Sequence, residues 1–354
     1  MKIEYVNETN TFKFQIDDKD ESLPYQSAVS FKHDFNAEYA EDYNVVLFQN
    51  AYFCRENDIF QLYFNGSTNR NGWLFPAQLF FSKEFEIKHN ICDIIRIAQY
   101  HLIRRFHSIL METSFAELPI FKLSDLIICV FSKSEAIDND INITFANELG
   151  AFAKYGYYLI QEDHATQLFQ CYAEDYMTRP NERIVIKSTD SVLISESYIK
   201  SLISKWLPTA NQPLQRFVLA YQVLEHCMSL YLHEIILRTT EAYQEHRLSK
   251  NDFAEKIREA TGEQHLIVEI FNNCTIQNDI SNTFCEASRN LFDLVNIPYK
   301  QTDLAHLLYK FRNNIVHNFR NIIHEKEAFE KTLYGFEYVV LDLIESYKPY
   351  NKTI

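Results

Sequence analysis

Six side chains able to hold an anion or move a proton recur along one short stretch. His306, Lys310, Asn313, His317, Arg320 and His324 follow one another at intervals of 4, 3, 4, 3 and 4 residues. On an α-helix that spacing stacks them into a single stripe. Each is a cation, an imidazole or an amide, and no acidic residue interrupts the stripe before Glu325. In a chain whose formal charge is −14, such a local run of donors attracts phosphate. The plainer reading is a solvated helix face, and charge periodicity alone does not separate the two.

A helix over 303–324 must carry the stripe. Leu304, Leu308, Phe311, Ile315, Phe319 and Ile322 supply its opposite, core-facing side. The rest of the C-terminal third also reads as helical. Phe217, Tyr221, Leu224, Met228, Tyr231 and Ile235 mark one apolar face of a long helix. Ser249 is placed to cap a shorter helix ending at Gly262, another covers 282–295, and a final one covers 329–347. The expected C-terminal domain, 206–354, is an all-α bundle of four to six helices. Pro208 and Pro213 mark its start, stopping one helix and opening the next.

Residues 1–205 read as a mixed α+β domain with a sensing or regulatory task. Strands are expected at 45–48, 60–64 and 74–81, then a helix over 90–111. Strands at 126–131, 157–160 and 183–187 alternate with helices at 142–154 and 166–177. Strand order is not legible in such a list.

Composition narrows the function. The charge divides into −10 over 1–210 and −4 over 211–354, so neither part suits extended binding to duplex nucleic acid. A small cleft needs only a local positive patch. The six glycines form neither a GxGxxG nor a GxxxxGK loop, which excludes P-loop and standard Rossmann phosphate binding. Seven scattered cysteines without a CxxC pair read as buried thiols, not as disulfides or a zinc site. The first residues carry no secretion signal and no apolar run approaches the ~18 residues of a membrane span, so a cytoplasmic protein is expected, without membrane contact.

Within the stripe helix, Phe311-Arg312-Asn313-Asn314-Ile315-Val316-His317-Asn318 resembles the HEPN superfamily. The signature there is an arginine, a polar residue after it, and a histidine following four to six intervening positions. The motif falls late in a helical domain, before a final helix, as in that family. The opening helix with Tyr221-Gln222-Val223-Leu224-Glu225 is similar to first helices of HEPN proteins from abortive-infection and anti-phage systems. The resemblance covers about 140 residues of the C-terminal part and none of 1–205.

It implies a metal-independent endoribonuclease without cofactor, acting as a homodimer whose two motifs face one cleft. It also implies RNA as partner, and a toxin or phage-defence setting with an antitoxin or a phage-derived trigger. Attack by the RNA's own 2′-hydroxyl requires a base, a proton for the departing 5′-oxygen and positive charge on the phosphorane. Histidine as a residue type exchanges protons near neutrality, and a guanidinium clamps phosphate oxygens. His317 takes the acid–base role and Arg312 the clamp. Asn313 bonds a phosphate oxygen or orients His317, with Lys310 and Arg320 supporting the RNA. The alternative is a HEPN module that only dimerises or binds RNA or another partner.

Other residues invite weaker readings. Glu225 either holds Arg312 in place or is simply exposed. His226 and His233 share a helix face but lack a carboxylate at ligand spacing. His101, Arg104, Arg105 and His107 form a small basic patch, solvated or touching nucleic acid. The run from Asp125 through Glu148 to Ile160 is faintly similar to strand–helix–strand units of nucleoside deoxyribosyltransferase-like folds, which would imply a chemical role for Glu148.

Overall fold

Strand β8 (Leu126–Ser132) is buried on both faces, and its alternation builds the two cores of the N-terminal unit. Leu126, Ile128 and Val130 enter one hydrophobic cluster, while Ile127, Cys129 and Phe131 enter another. This period-two partition is why a continuous apolar run becomes a central strand. A computed structural model describes residues 1–15, 29–32, 37–50, 58–64, 68–81, 91–118, 126–133, 149–160, 183–186, 191–210 and 212–350. The chain divides into two units, Met1–Ser188 and Thr189–Ile354. The short helical turns over 192–209 thus belong with the second unit, ahead of the sequence-based boundary at 205.

The first unit is rich in sheet. β1 (Lys2–Val6), β2 (Thr11–Gln15), β3 (Val29–Lys32) and β7 (Phe115–Glu117) form an antiparallel sheet in the order β3-β2-β1-β7. A six-stranded sheet adds β4 (Tyr43–Asn50), β5 (Phe60–Phe64), β6 (Gly72–Pro76), β9 (Tyr157–Leu159) and β10 (Arg183–Ile186), in the order β10-β5-β6-β8-β4-β9. Among the described strands only the β10–β5 pairing is parallel. Helix α1 (Ala37–Glu41) precedes β4, and the long helix α2 (Cys92–Thr113) packs Ile95, Ala98 and Leu102 into the core shared by both sheets.

Several expectations are revised here. The strand expected over 74–81 ends at Pro76, which lacks an amide donor, and continues as a 3-10 turn, Ala77–Phe81. Of the helix expected over 142–154, only α3 (Leu149–Lys154) is described. Glu148 and the helix expected over 166–177 lie outside the described residues. β8 and β9 are not neighbours, since β4 runs antiparallel between them.

The second unit is helical: α4 (Pro213–Gln244), α5 (Lys250–Ala260), α6 (Glu263–Asn273), α7 (Asn278–Leu294), α8 (Leu304–Ile322) and α9 (Lys326–Ser346). Pro213 opens α4 at a position where a missing N–H costs nothing. Ser249 and Asp252 form a reciprocal capping box on α5. Gly262 does not close α5, because Thr261 is the last cap; Gly262 begins α6, a helix the sequence reading passed over. An aromatic core joins the bundle, with Phe217, Phe284, Phe311 and Phe336 drawn from α4, α7, α8 and α9 at ring separations of 5.4 to 6.4 Å. Gly335 permits a close approach of α9 to α7, since a Cβ there would stand 2.9 Å from Phe284 Cα.

Candidate functional site

Phe311 fixes the position of the residue that follows it. Its fully buried ring, locked among four other phenylalanines, leaves Arg312 at the rim of the core with a half-buried side chain. The guanidinium lies over the Tyr221 ring of α4 at 5.6 Å, a cation–π arrangement. Its Nε stands 3.0 Å from Glu263 Oε1 on α6, an ion pair without aligned hydrogen-bond geometry. Nη1 donates to Asn313 Oδ1 at 3.0 Å. Tyr221 in turn donates its hydroxyl to Glu263. Burial first, then the neighbouring Glu263 carboxylate, push the Tyr221 phenol far above its ordinary range, so it remains a donor to that carboxylate.

Along the outer flank of α8 runs an open cleft of about 740 Å³. Lys310, Arg312, Asn313 and His317 all line it, and His306 borders it nearer the helix start. His317 is exposed. Asn314 and Asn318 lie behind it in a ladder: Asn314 Nδ2 donates to the Lys310 carbonyl at 2.8 Å, and Asn318 Nδ2 donates to Asn314 Oδ1 at 3.0 Å. This braces the turn before the backbone leaves helical geometry at Asn318 (φ −130°, ψ 21°).

None of the described residues lining the cleft is acidic, although the chain carries −14 overall. The carboxylates that touch lining residues are engaged, Asp293 by the Tyr299 hydroxyl at 3.3 Å. Glu263 faces Arg312, while Asp303 caps α8, accepting from the His306 amide at 3.2 Å and the His306 ring at 2.8 Å. Partial burial alone would raise the Asp303 pKa; the hydrogen bonds from His306 outweigh it and hold the carboxyl below its usual value.

The stripe is thus divided. His306, Lys310, Asn313 and His317 border one cleft, whereas Arg320 and His324 lie past the break at Asn318, exposed and away from it. Arg320 therefore does not join the group to which the spacing assigned it. Glu225 is not the carboxylate beside Arg312; it is exposed on α4, and its charge acts on Tyr198 and Tyr221. Glu263 holds that place. Its signal was the spacing of Leu266, Ile267 and Ile270, which marks an additional helix after Gly262. The sequence reading also missed Tyr299, Lys300, Gln301 and Tyr309 at the cleft.

Elsewhere, His226 Nε2 meets Glu196 at 2.7 Å and His233 is exposed. In the first unit, Arg104 pairs with Glu41 and His101 Nε2 contacts the Ala40 carbonyl at 2.9 Å, so the patch on α2 is partly tied to α1. Among the described residues no helix is long and apolar enough to cross a membrane. Compared with protein-family descriptions, curated proteins and solved structures, the chain matches none.

Proposed function

We propose that the helical unit is an RNA-cutting domain of HEPN type. What carries the reading is the gathering of Arg312, Asn313 and His317 on the wall of a cleft lined, among the described residues, by no carboxylate. A phosphodiester there meets the positive charge of Lys310 and of Arg312, competing with Glu263 for the latter. His317 accepts the proton of the 2′-hydroxyl as that oxygen bonds to phosphorus. The bond from phosphorus to the 5′-oxygen breaks, and that oxygen leaves with a proton, giving a 2′,3′-cyclic phosphate and a 5′-hydroxyl. Arg312 holds the non-bridging oxygens through the phosphorane, where charge is greatest. A second His317, supplied by a two-fold partner, gives the leaving oxygen its proton, and symmetric pairing is the commonest soluble assembly. The setting is growth arrest or phage defence in the cytoplasm, under an antitoxin or a phage-derived trigger.

One observation favours a second reading, a HEPN module that binds without cutting: Arg312 already has a carboxylate partner in Glu263. Product chemistry separates the two. Incubated with RNA, the protein is expected to cut in the presence of EDTA, leave 2′,3′-cyclic phosphate ends and spare a strand with 2′-deoxyribose at the cut position. Light scattering of the same preparation is expected to report a dimer. Cutting that EDTA abolishes, or cutting of the deoxy strand, rules out this mechanism; binding without any cut leaves the second reading.

A further inference from the structure

The cleft extends beyond what the Arg312–His317 pair needs. Its lining also holds rings and amides: Tyr299 and Gln301, on either side of Lys300 just ahead of α8, Tyr309 on α8 and Gln264 on α6. Tyr309 precedes Asn313 by four residues, about 6 Å along the axis, so both lie on one flank of the helix. Tyr299 has a firm backing. Its ring packs on Phe292 at 5.9 Å, its hydroxyl donates to Asp293 Oδ2 at 3.3 Å, and Pro298 stiffens the chain just before it. Rings held in this way are stacking surfaces for unpaired bases, and a carboxamide offers a donor and an acceptor to a base edge. The permanent cations here are Lys300, Lys310 and Arg312. They match a few phosphates, not the rows a duplex presents.

We propose that this part of the cleft is a base-binding subsite, in which one unpaired nucleobase beside the scissile phosphate stacks on Tyr309, with Tyr299 and Gln301 around it. The position of the phosphate rests on the ribonuclease reading; the chemistry of the subsite does not. The subsite makes Tyr309 and Gln301 specificity determinants.

The test uses an RNA whose cut position has been mapped, remade with one abasic ribose on either side of the cut in turn. The wild-type protein is expected to cut one of the two abasic strands at least about tenfold more slowly than the intact strand. Tyr309→Ala should slow cutting of the intact strand by a similar factor and leave the abasic strand unchanged; Tyr309→Phe, which keeps the ring, should behave as wild type. Equal cutting of intact and abasic strands by wild type overturns the subsite and leaves the ribonuclease reading standing. So does a Tyr309→Ala defect that persists in full on the abasic strand. If no RNA is cut, a short single-stranded RNA and its copies with one abasic ribose at each position in turn are titrated by fluorescence anisotropy. Weaker binding on removal of the base then supports the subsite while refuting cutting, and base-independent or absent binding overturns the subsite.

Discussion

Two guanidinium–carboxylate pairs of the helical unit, Arg216–Glu337 and Arg312–Glu263, differ in almost everything except their chemistry. Arg216 on α4 and Glu337 on α9 are buried, with 3% and 4% of their side chains exposed. They meet through two bonds, at 2.7 and 2.5 Å, while Arg216 Nη1 also donates to the Leu207 carbonyl at 2.8 Å. Arg312 and Glu263 are 23% and 29% exposed, and meet through one contact at the edge of a cleft. The first arginine has its donors committed to protein oxygens in the dry interior. The second keeps a face toward solvent. Desolvation makes the first pair indispensable once formed, because loss of one partner strands a buried charge. Solvent screening makes the second cheap to open, which is what a phosphate clamp requires.

The sharpest way to break this contrast is to remove each arginine in turn. Arg216→Ala should destabilise the unit by about 3–5 kcal/mol, measured by urea unfolding. Arg312→Ala should cost no more than ~1 kcal/mol, yet abolish RNA cutting, as His317→Ala should too. Equal losses of stability for the two arginine variants would show that they are not different in kind, and RNA cutting by both cleft variants would remove the site assignment.

A smaller effect is expected on the buried side from Gly335→Ala. Alanine gains ~1 kcal/mol in a helix, but its Cβ would meet Phe284 backbone at 2.9 Å. Overpacking of that kind costs about 1–3 kcal/mol, so thermal unfolding should move downward; an upward shift would mean that the α7–α9 contact has slack. The smallest effect belongs to the cleft side. Asp303→Ala removes the cap of α8 at about 1 kcal/mol. Because the folded state holds this carboxyl below its usual value, the contribution is present above the ordinary carboxylate range and shrinks as pH falls below about 4. Unfolding curves of wild type and variant should therefore converge in acid, and a constant gap would contradict the role given to His306.

The parts of the molecule governed by local periodicity were legible in the sequence. Leu308, Phe311, Ile315 and Ile322 are buried as the apolar spacing on α8 predicts, and the polar stripe is on the other side. Glu263 was not, because Gly262 suggests an ending when only α5 is considered. A glycine with φ −77° serves equally well to begin a helix. Glu225, one turn after Tyr221, lies on the right helix for a contact that a different helix supplies. Sheet order was also hidden. Pairing such as β10 with β5 joins residues more than 100 positions apart, and no window of sequence carries that information.

The Arg216–Glu337 bond also sets a timetable for the newborn protein. Its partners are separated by 121 residues. A ribosome adding ~5–20 residues per second takes roughly 6–24 seconds to travel from one to the other. During that interval Arg216 has been made but cannot yet be neutralised, and α4 has no α9 to lie against. Arg312 and His317 are made before Glu337, but the aromatic core beneath them still awaits Phe336. A chain that breaks off early would carry the whole motif and lack the frame that holds it. The frame beneath Arg312 and His317 is thus complete only after translation has passed residue 337.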